Sequence, residues 1–391
     1  MGHAYKHLIV LVDGTWNSAA RGTFKDITNI FRLNHVIDTD DKHKNPQITF
    51  YIPGPGTRGW TDKRLGGAFG VGIDEIIKEA YVNLASNYDE ADKKRDADKI
   101  YLFGFSRGAI VARALSGLIS KCGLLYPRSI DRFWQIWDNF ISPYPNPHFK
   151  EEIAPYINDN VKIEMVGVFD TVLGRSYRND NIVTKIRFRD YNLEPLVKVG
   201  VQILAMDDNR RRFLPIIWDQ YRSNGDDGAL PQNLEQIWLP GVHADIGGIP
   251  TGKSFNVATN FLSDVSLLTM IEAIKKYTDL SIDETYINDV LKKIEHTSSI
   301  RISNERPTPF MKALGYRNRK SASTIFGDGR SVGEYIHPVY DFLAGRRIVV
   351  KDKLRTYENP QFGDAADIAR YQTSYAEFYE DQCNRIINQM R

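Results

Sequence analysis

Apolar and polar positions fall along this chain in two kinds of block. Short apolar runs stop abruptly in polar, glycine-containing loops, and longer stretches carry apolar residues every three or four positions. The short runs predict buried strands at His7–Val12, Gln47–Ile52, Ile100–Phe103, Val161–Phe169 and Gln236–Leu239. The periodic stretches predict helices over Ile27–Val36 with Asp26 as cap, from the glycine-rich Gly66–Gly72 loop through Asn87, and over Arg107–Lys121 and Pro127–Asn139. Further helices are expected at Pro195–Met206, Ala258–Lys276, Ile282–Ile294 and in the tail from Asp364 to Met390. The charge run at 89–98 is expected to be a solvated loop, Ser142–Pro147 a breaker loop, and Ser299–Lys320 has little periodicity. Strands alternating with helices, each strand ending in a polar loop, predict an α/β fold with a mostly parallel sheet flanked by helices. There is no internal repeat.

Composition narrows the function classes. The 391 residues are 42% hydrophobic and 26% charged, enough for a large core in one big α/β domain or two smaller ones. A formal net charge of +2, without aromatics interleaved among basic clusters, argues against nucleic-acid binding. Two cysteines, Cys122 and Cys383, cannot build a disulfide framework and fit a reducing compartment. The apolar run at the N-terminus is too short for a signal h-region, so a cytoplasmic location is expected. Nothing approaches the roughly 20 apolar residues of a membrane-spanning helix, which leaves peripheral membrane contact as the expected kind. No metal or cofactor is called for by any motif.

The candidate chemistry centres on Gly104-Phe105-Ser106-Arg107-Gly108, a G-x-S-x-G set between a predicted strand and a predicted helix. In that context the serine sits on a strained turn with Oγ exposed, and the glycines let strand and helix approach closely. The helix N-terminus then points its N–H groups where an oxyanion would develop. A serine nucleophile needs a base, and the base an orienting acid. In α/β-hydrolases, where a nucleophile of this kind is found, the chain order is Ser, acid, His. His3, His7, His35 and His43 precede Ser106, and His148 precedes the only well-placed acid, leaving His243, His296 and His337. Asp170 ends an apolar strand and is the candidate acid, its bland alternative being a cap for the turn through Thr171 and Val172. His243 follows a short strand in a glycine-bounded loop and is the first candidate base, with His337 the alternative; His296 suits a helix end. Oxyanion donors are expected from Arg107 and from Gly14 or Thr15, on a strand that should neighbour the serine's strand. Asp13 orients that loop or holds Arg107.

Six segments occur in order: VDGTWN at 12–17, GGAFGVG at 66–72, LFGFSRGA at 102–109, GVFDTV at 167–172, AMDDNRRRF at 205–213 and PGVHADIGG at 240–248. Together they resemble the α/β-hydrolase family that includes the phospholipase effectors of bacterial type VI secretion. The resemblance covers roughly residues 7–345. It implies a Ser106–His243–Asp170 esterase acting on phospholipid acyl esters, with residues 1–345 as catalytic domain and 346–391 as a helical extension packed on it. It also implies a toxic effector, restrained by a regulatory or immunity partner and either exported without a signal peptide or recruited to the inner membrane. The segment IPTGKSFNVATNF after Gly248 departs from the family's glycine-rich continuation, which bears on lipid specificity.

Other classes compete. Asp13-Gly14-Thr15 after a strand is similar to aspartyl-phosphate enzymes, but the position of their nucleophile is Leu11 here. The Gly66–Gly72 loop lacks the lysine and spacing of a nucleotide-binding loop. A soluble-ester hydrolase and an inactive scaffold of the same fold are the remaining alternatives. For a lipase, Trp60 and Phe69, together with Tyr126, Phe133, Trp134 and Trp137, are expected to form an apolar surface around the serine; the bland alternative for the second group is the core face of a helix.

Overall fold

The computed structural model describes residues 5–14, 27–55, 72–93, 95–158, 160–172, 192–219, 232–248, 261–304, 316–320, 332–363 and 368–389. Its centre is an eight-stranded sheet. The strands are β1 (His7–Val12), β2 (Gln47–Ile52), β3 (Lys99–Phe105), β4 (Ile163–Phe169), β5 (Val197–Ala205), β6 (Asn233–Leu239), β7 (Glu334–Ile336) and β8 (Ala369–Arg370). They lie in the order β8-β7-β6-β5-β4-β3-β1-β2, and every pairing is parallel. From β1 the chain moves outward to β2, then crosses back to β3 and proceeds the other way. The gap between the ends of β1 and β3 is therefore the topological switch point, where α/β sheets open a crevice.

Side chains on β1 explain the two-sided packing. Ile9 and Leu11 join one apolar cluster, with α1 (Asn29–Val36) and a later helix, Phe261–Tyr277. Leu8, Val10 and Val12 join the other, with α2 (Ile73–Asn87) and α3 (Arg107–Cys122). Successive strand residues point to opposite faces, so a fully apolar strand is what a sheet covered on both sides requires. The fold is α/β-hydrolase-like.

Three details differ from the sequence expectation. Pro195–Met206 holds β5 rather than a helix: Val197, Val199, Val201 and Ile203 repeat every second residue and are all buried. β-Branched residues at period two are a strand signal. Gly200 lies inside that strand, where a Cβ would come 2.9 Å from Leu193. Helix α1 is capped by Thr28, whose hydroxyl accepts from the Phe31 N–H at 3.2 Å, in place of Asp26, which lies outside the described residues. In the 89–98 loop, Asp98 is buried and accepts from the Lys6 and Asp89 N–H groups, so the run is anchored to β1 rather than fully solvated.

The C-terminal region is more than helical. Arg347–Val350 and Lys353–Thr356 form a hairpin that pairs with Arg301–Ile302. Ala369–Arg370 supplies edge strand β8, and the helix Ala376–Gln389 buries Tyr379, Cys383, Ile386 and Ile387 in the same core as β1.

Candidate active site

Strands β3, β4 and β6 deliver the candidate residues to one edge, with β5 between the last two. The Ser106 N–H donates to the Phe169 carbonyl at 3.0 Å, and the Asp170 N–H to the Ile203 carbonyl at 2.8 Å, so the parallel ladder continues one step past each strand. Ser106 lies between β3 and α3 at φ 59°, ψ −117°, and Asp170 follows β4 at φ 43°. Positive φ at two non-glycine residues is strain that surrounding structure must hold, and such strain collects at functional positions. The glycines around Ser106 have a specific use. A Cβ at Gly104 would lie 2.4 Å from the Gly108 carbonyl oxygen, and one at Gly108 would lie 2.2 Å from that of Val12. Strand and helix therefore meet backbone to backbone, with the end of β1 against the first turn of α3.

His243 opens the short helix His243–Gly247 after β6. Its Nε2 is 2.8 Å from Ser106 Oγ, and its Nδ1 is 2.6 Å from Asp170 Oδ2. The ring is seated between Phe105, with centroids 4.8 Å apart, and Phe213, edge-on at 5.1 Å. Gly247 makes room for the first of these, because a Cβ there would meet the Phe105 ring at 2.0 Å. The loop is held from β5: the Gly241 N–H donates to Asp207 Oδ2 at 2.7 Å and the His243 N–H to Asp208 Oδ2 at 3.2 Å.

Electrostatics separate the acids. Burial of Asp170 opposes its ionisation, but the Arg319 guanidinium and His243 outweigh burial and hold the carboxyl well below the usual range. For Asp208 burial likewise opposes ionisation, and Arg210 prevails, lowering its pKa. Asp207 is pushed up to about 6 by burial, despite accepting from Gly241, Tyr357 and Asn359. Asp13 is also raised to about 6 by burial; its Oδ2 accepts from Thr28 and Tyr51, and its Oδ1 from the Gly14 N–H at 2.6 Å. Asp13 thus orients the loop after β1.

Placement of the other candidates is mixed. Arg107 is buried at the first position of α3, the N-terminal turn that follows Ser106. Gly14 follows β1, which pairs with β3 as expected, but its N–H is given to Asp13. Thr15, Trp60, Phe69 and residues 66–71 of the glycine-rich loop lie outside the described residues. His337 is not brought to Ser106. It is fully buried after β7 between Tyr371 and Tyr379, its Nδ1 accepts from the Val339 N–H, and burial lowers its pKa to about 3.

The aromatic group after α3 does not surround the serine either. Helix α3 runs away from Ser106 for 16 residues, about 24 Å at 1.5 Å per residue, and the group follows its far end. Phe133 packs at a tilt against Tyr81 and Trp137 is buried, as the core face of a helix, while Trp134 is 63% exposed. Sequence reasoning missed Arg319 and Phe213. Phe213 and Asp208 both lie in the AMDDNRRRF segment at 205–213, which entered the sequence analysis only as part of the resemblance and with no role for either residue.

Among the described residues no helix is long and apolar enough to cross a membrane, and no three His, Cys, Asp or Glu side chains are grouped to hold a metal ion. A family model described as T6SS, phospholipase effector Tle1-like, catalytic domain matches residues 6–273. The uncharacterized protein YEL023C of Saccharomyces cerevisiae is 31% identical over 233 residues, which is 53% of this chain and 32% of that protein. The chain therefore spans about a third of that curated relative's length. Among solved structures, an uncharacterized protein from Pseudomonas aeruginosa aligns at TM-score 0.45 and 16% identity, covering 72% of this chain and 47% of that one. The Tle1 effector bound to the VgrG spike of the type 6 secretion system aligns at TM-score 0.35 and 18% identity, covering 64% and 52%.

Proposed function

The chain belongs to the Tle1-like type VI secretion phospholipase effector family through its catalytic domain, and from that premise we propose that it is a serine hydrolase cleaving acyl esters of phospholipids with Ser106 as nucleophile, His243 as base and Asp170 as orienting acid. One observation carries this reading: the unbroken chain from Ser106 Oγ to His243 Nε2 at 2.8 Å and from His243 Nδ1 to Asp170 Oδ2 at 2.6 Å, on a serine held at φ 59°. An ionised Asp170 accepts a hydrogen bond from Nδ1–H, which leaves the Nε2 lone pair facing the hydroxyl. His243 takes the Ser106 proton as Oγ attacks the acyl carbon, then returns it to the leaving alcohol. Water repeats the sequence in reverse on the acyl-enzyme.

The oxyanion forms at the N-terminus of α3, where the Arg107 N–H is the first donor. The second comes from the loop after β1. Gly14 already gives its N–H to Asp13, so Thr15 is the donor this reading favours. The cell's own or a target's phospholipid, a peripheral membrane contact, delivery on a VgrG-type spike, residence in the cytoplasm before delivery and restraint by an immunity protein belong to the same proposal.

The test is a labelled fluorophosphonate on purified protein, followed by hydrolysis of phospholipid vesicles against short p-nitrophenyl esters. Labelling of the wild type but not of Ser106→Ala supports the serine mechanism; an unlabelled, folded wild type makes the chain an inactive scaffold. A second reading has its own support, since the aromatic group after α3 sits a helix length from Ser106 and supplies no lipid surface there. Hydrolysis of soluble esters with none of vesicles or micelles would favour that soluble-ester hydrolase.

A further inference from the structure

Arg319 comes from a stretch without periodicity, is completely buried, and reaches the acid of the candidate triad from 149 residues further along the chain. Its Nη1 donates to Asp170 Oδ1 at 2.5 Å and its Nη2 to Oδ2 at 2.9 Å, a two-pronged match of guanidinium to carboxylate. The same two nitrogens donate to the carbonyls of Ala205 at 2.8 Å and Phe213 at 2.5 Å. Oδ1 also accepts from the Ala205 N–H at 3.1 Å, and Oδ2 from His243 at 2.6 Å. Both carboxylate oxygens are thereby saturated, and the carboxylate has one orientation. Through Phe213 the guanidinium also fixes the ring that stands edge-on to His243.

The charges facing His243 balance. On its Nδ1 side Asp170 is matched by Arg319, and at its backbone Asp208 is matched by Arg210, with Nη2 to Oδ2 at 2.5 Å. Asp245, two residues on, is turned away to the Val242 N–H and to Ser303. Ser106 on the Nε2 side is neutral. The imidazole therefore sits among two carboxylates and two guanidiniums.

Resting on the triad reading above, we propose that Arg319 is a positioning residue of the reaction: it holds Asp170 ionised and aimed at His243, so that the carboxylate keeps orienting the ring to lower pH than it would without the guanidinium. Removing the guanidinium in contact with Asp170 should raise the pH at which that carboxylate is lost by about one unit or more. A lysine keeps the charge but loses the planar fork.

The experiment measures the rate of fluorophosphonate labelling of the full chain from acidic to neutral pH, for wild type, Arg319→Gln and Arg319→Lys, each checked for a cooperative thermal transition. Arg319→Gln should label more slowly, with the acidic limb of its profile moved upward by about one unit or more. Arg319→Lys should keep the wild-type limb and lose rate by about 10- to 100-fold, as expected for misplaced geometry. A limb in Arg319→Gln that coincides with wild type overturns the proposal, whatever its rate. Should the glutamine variant not fold, the lysine variant decides: a slow reaction on the wild-type limb supports the proposal, and wild-type rate overturns it. Failure of both to fold makes Arg319 a prop of the fold and overturns it too. A wild type that never labels refutes the triad reading itself, which is a different result from a labelled wild type with an unmoved limb.

Discussion

Replacing Asp170 by Asn removes a charge and turns one acceptor oxygen into a donor nitrogen, at the position where four donors converge. Ala205 N–H and Arg319 Nη1 need an acceptor on one side, and His243 Nδ1 and Arg319 Nη2 need one on the other. An amide oxygen can serve only one side. If it serves Ala205, the NH2 faces His243 and forces the tautomer with its proton on Nε2, where it can no longer accept from Ser106. In the worked protease case an acid-to-amide change of this kind lowers turnover by roughly 10⁴, which is about 5 kcal/mol of barrier. Stability should fall as well, because Arg319 stays charged and fully buried with its counter-ion gone. Breaking a buried pair by removing one partner costs about 3–5 kcal/mol, a large part of a total near 5–15 kcal/mol. Hydrolysis of a short p-nitrophenyl ester and a thermal melt by circular dichroism read the two effects separately. The expected result is a loss near four orders of magnitude in rate with a melt lowered by several degrees. Hydrolysis within about tenfold of wild type, normalised to folded protein, would refute the role given to Asp170, and an unchanged melt would refute the account of the buried pair.

Other outcomes follow from single contacts. Ser106→Ala should abolish ester hydrolysis, on the order of a millionfold in the comparable protease case, with only a small change in melting, since it removes one hydrogen bond to His243 and leaves the backbone in place; a folded variant with residual turnover near wild type would remove Ser106 from the mechanism. Gly247→Ala places a methyl 2.0 Å from the Phe105 ring that seats His243, so it should lose about 1–3 kcal/mol of stability and at least about tenfold in rate; a native melt with full activity would show that the ring tolerates displacement. For His337, burial lowers the pKa to about 3 from 6.5, so the unfolded chain takes up the proton first, and stability is lost as pH falls from 6.5 toward 3. His337→Asn, which can still accept from the Val339 N–H, should flatten that acid-side decline in melting temperature and leave hydrolysis at neutral pH unchanged; a strong loss of hydrolysis would return His337 to consideration as the base.

Legibility of this chain in its sequence followed the physics of strand ends. The candidates Ser106, Asp170 and His243 could be named because each follows an apolar run, and the structure sets all three at the same edge of a parallel sheet. β5 was misread as a helix because Pro195–Met206 is apolar almost throughout, and its period-two valines were outweighed by the length of the run. The aromatic group at 126–137 was misplaced for a different reason. Adjacency to α3 in sequence was taken for adjacency to Ser106, whereas a 16-residue helix carries the chain a full layer away. Arg319 had no local signal: a lone arginine among Tyr316, Arg317, Asn318 and Lys320 acquires meaning only when the fold sets it against a buried carboxylate.

That distinction between reacting and supporting residues follows from the cost of burying acids. The loops after β4 and β5 carry Asp170 and Asp208, both buried, and the half-buried Asp207, and burial opposes ionisation in all three. Asp208 is compensated locally by Arg210. The other two are compensated from far along the chain, Asp170 by Arg319 and Asp207 by Tyr357 and Asn359. Residues 6–273, the span matched by the family model, contain Ser106, Asp170 and His243 but none of these distant partners. The C-terminal part is thus tied to the candidate site by the burial of these acids. A carboxylate ionised in the dry interior beside His243 needs a cation held still, and the loop carrying His243 needs Asp207 fixed from its other side. Changes at Tyr357 or Asn359 should act on the position of Gly241 and His243 through Asp207, whereas changes at Arg319 act on the charge that the imidazole meets.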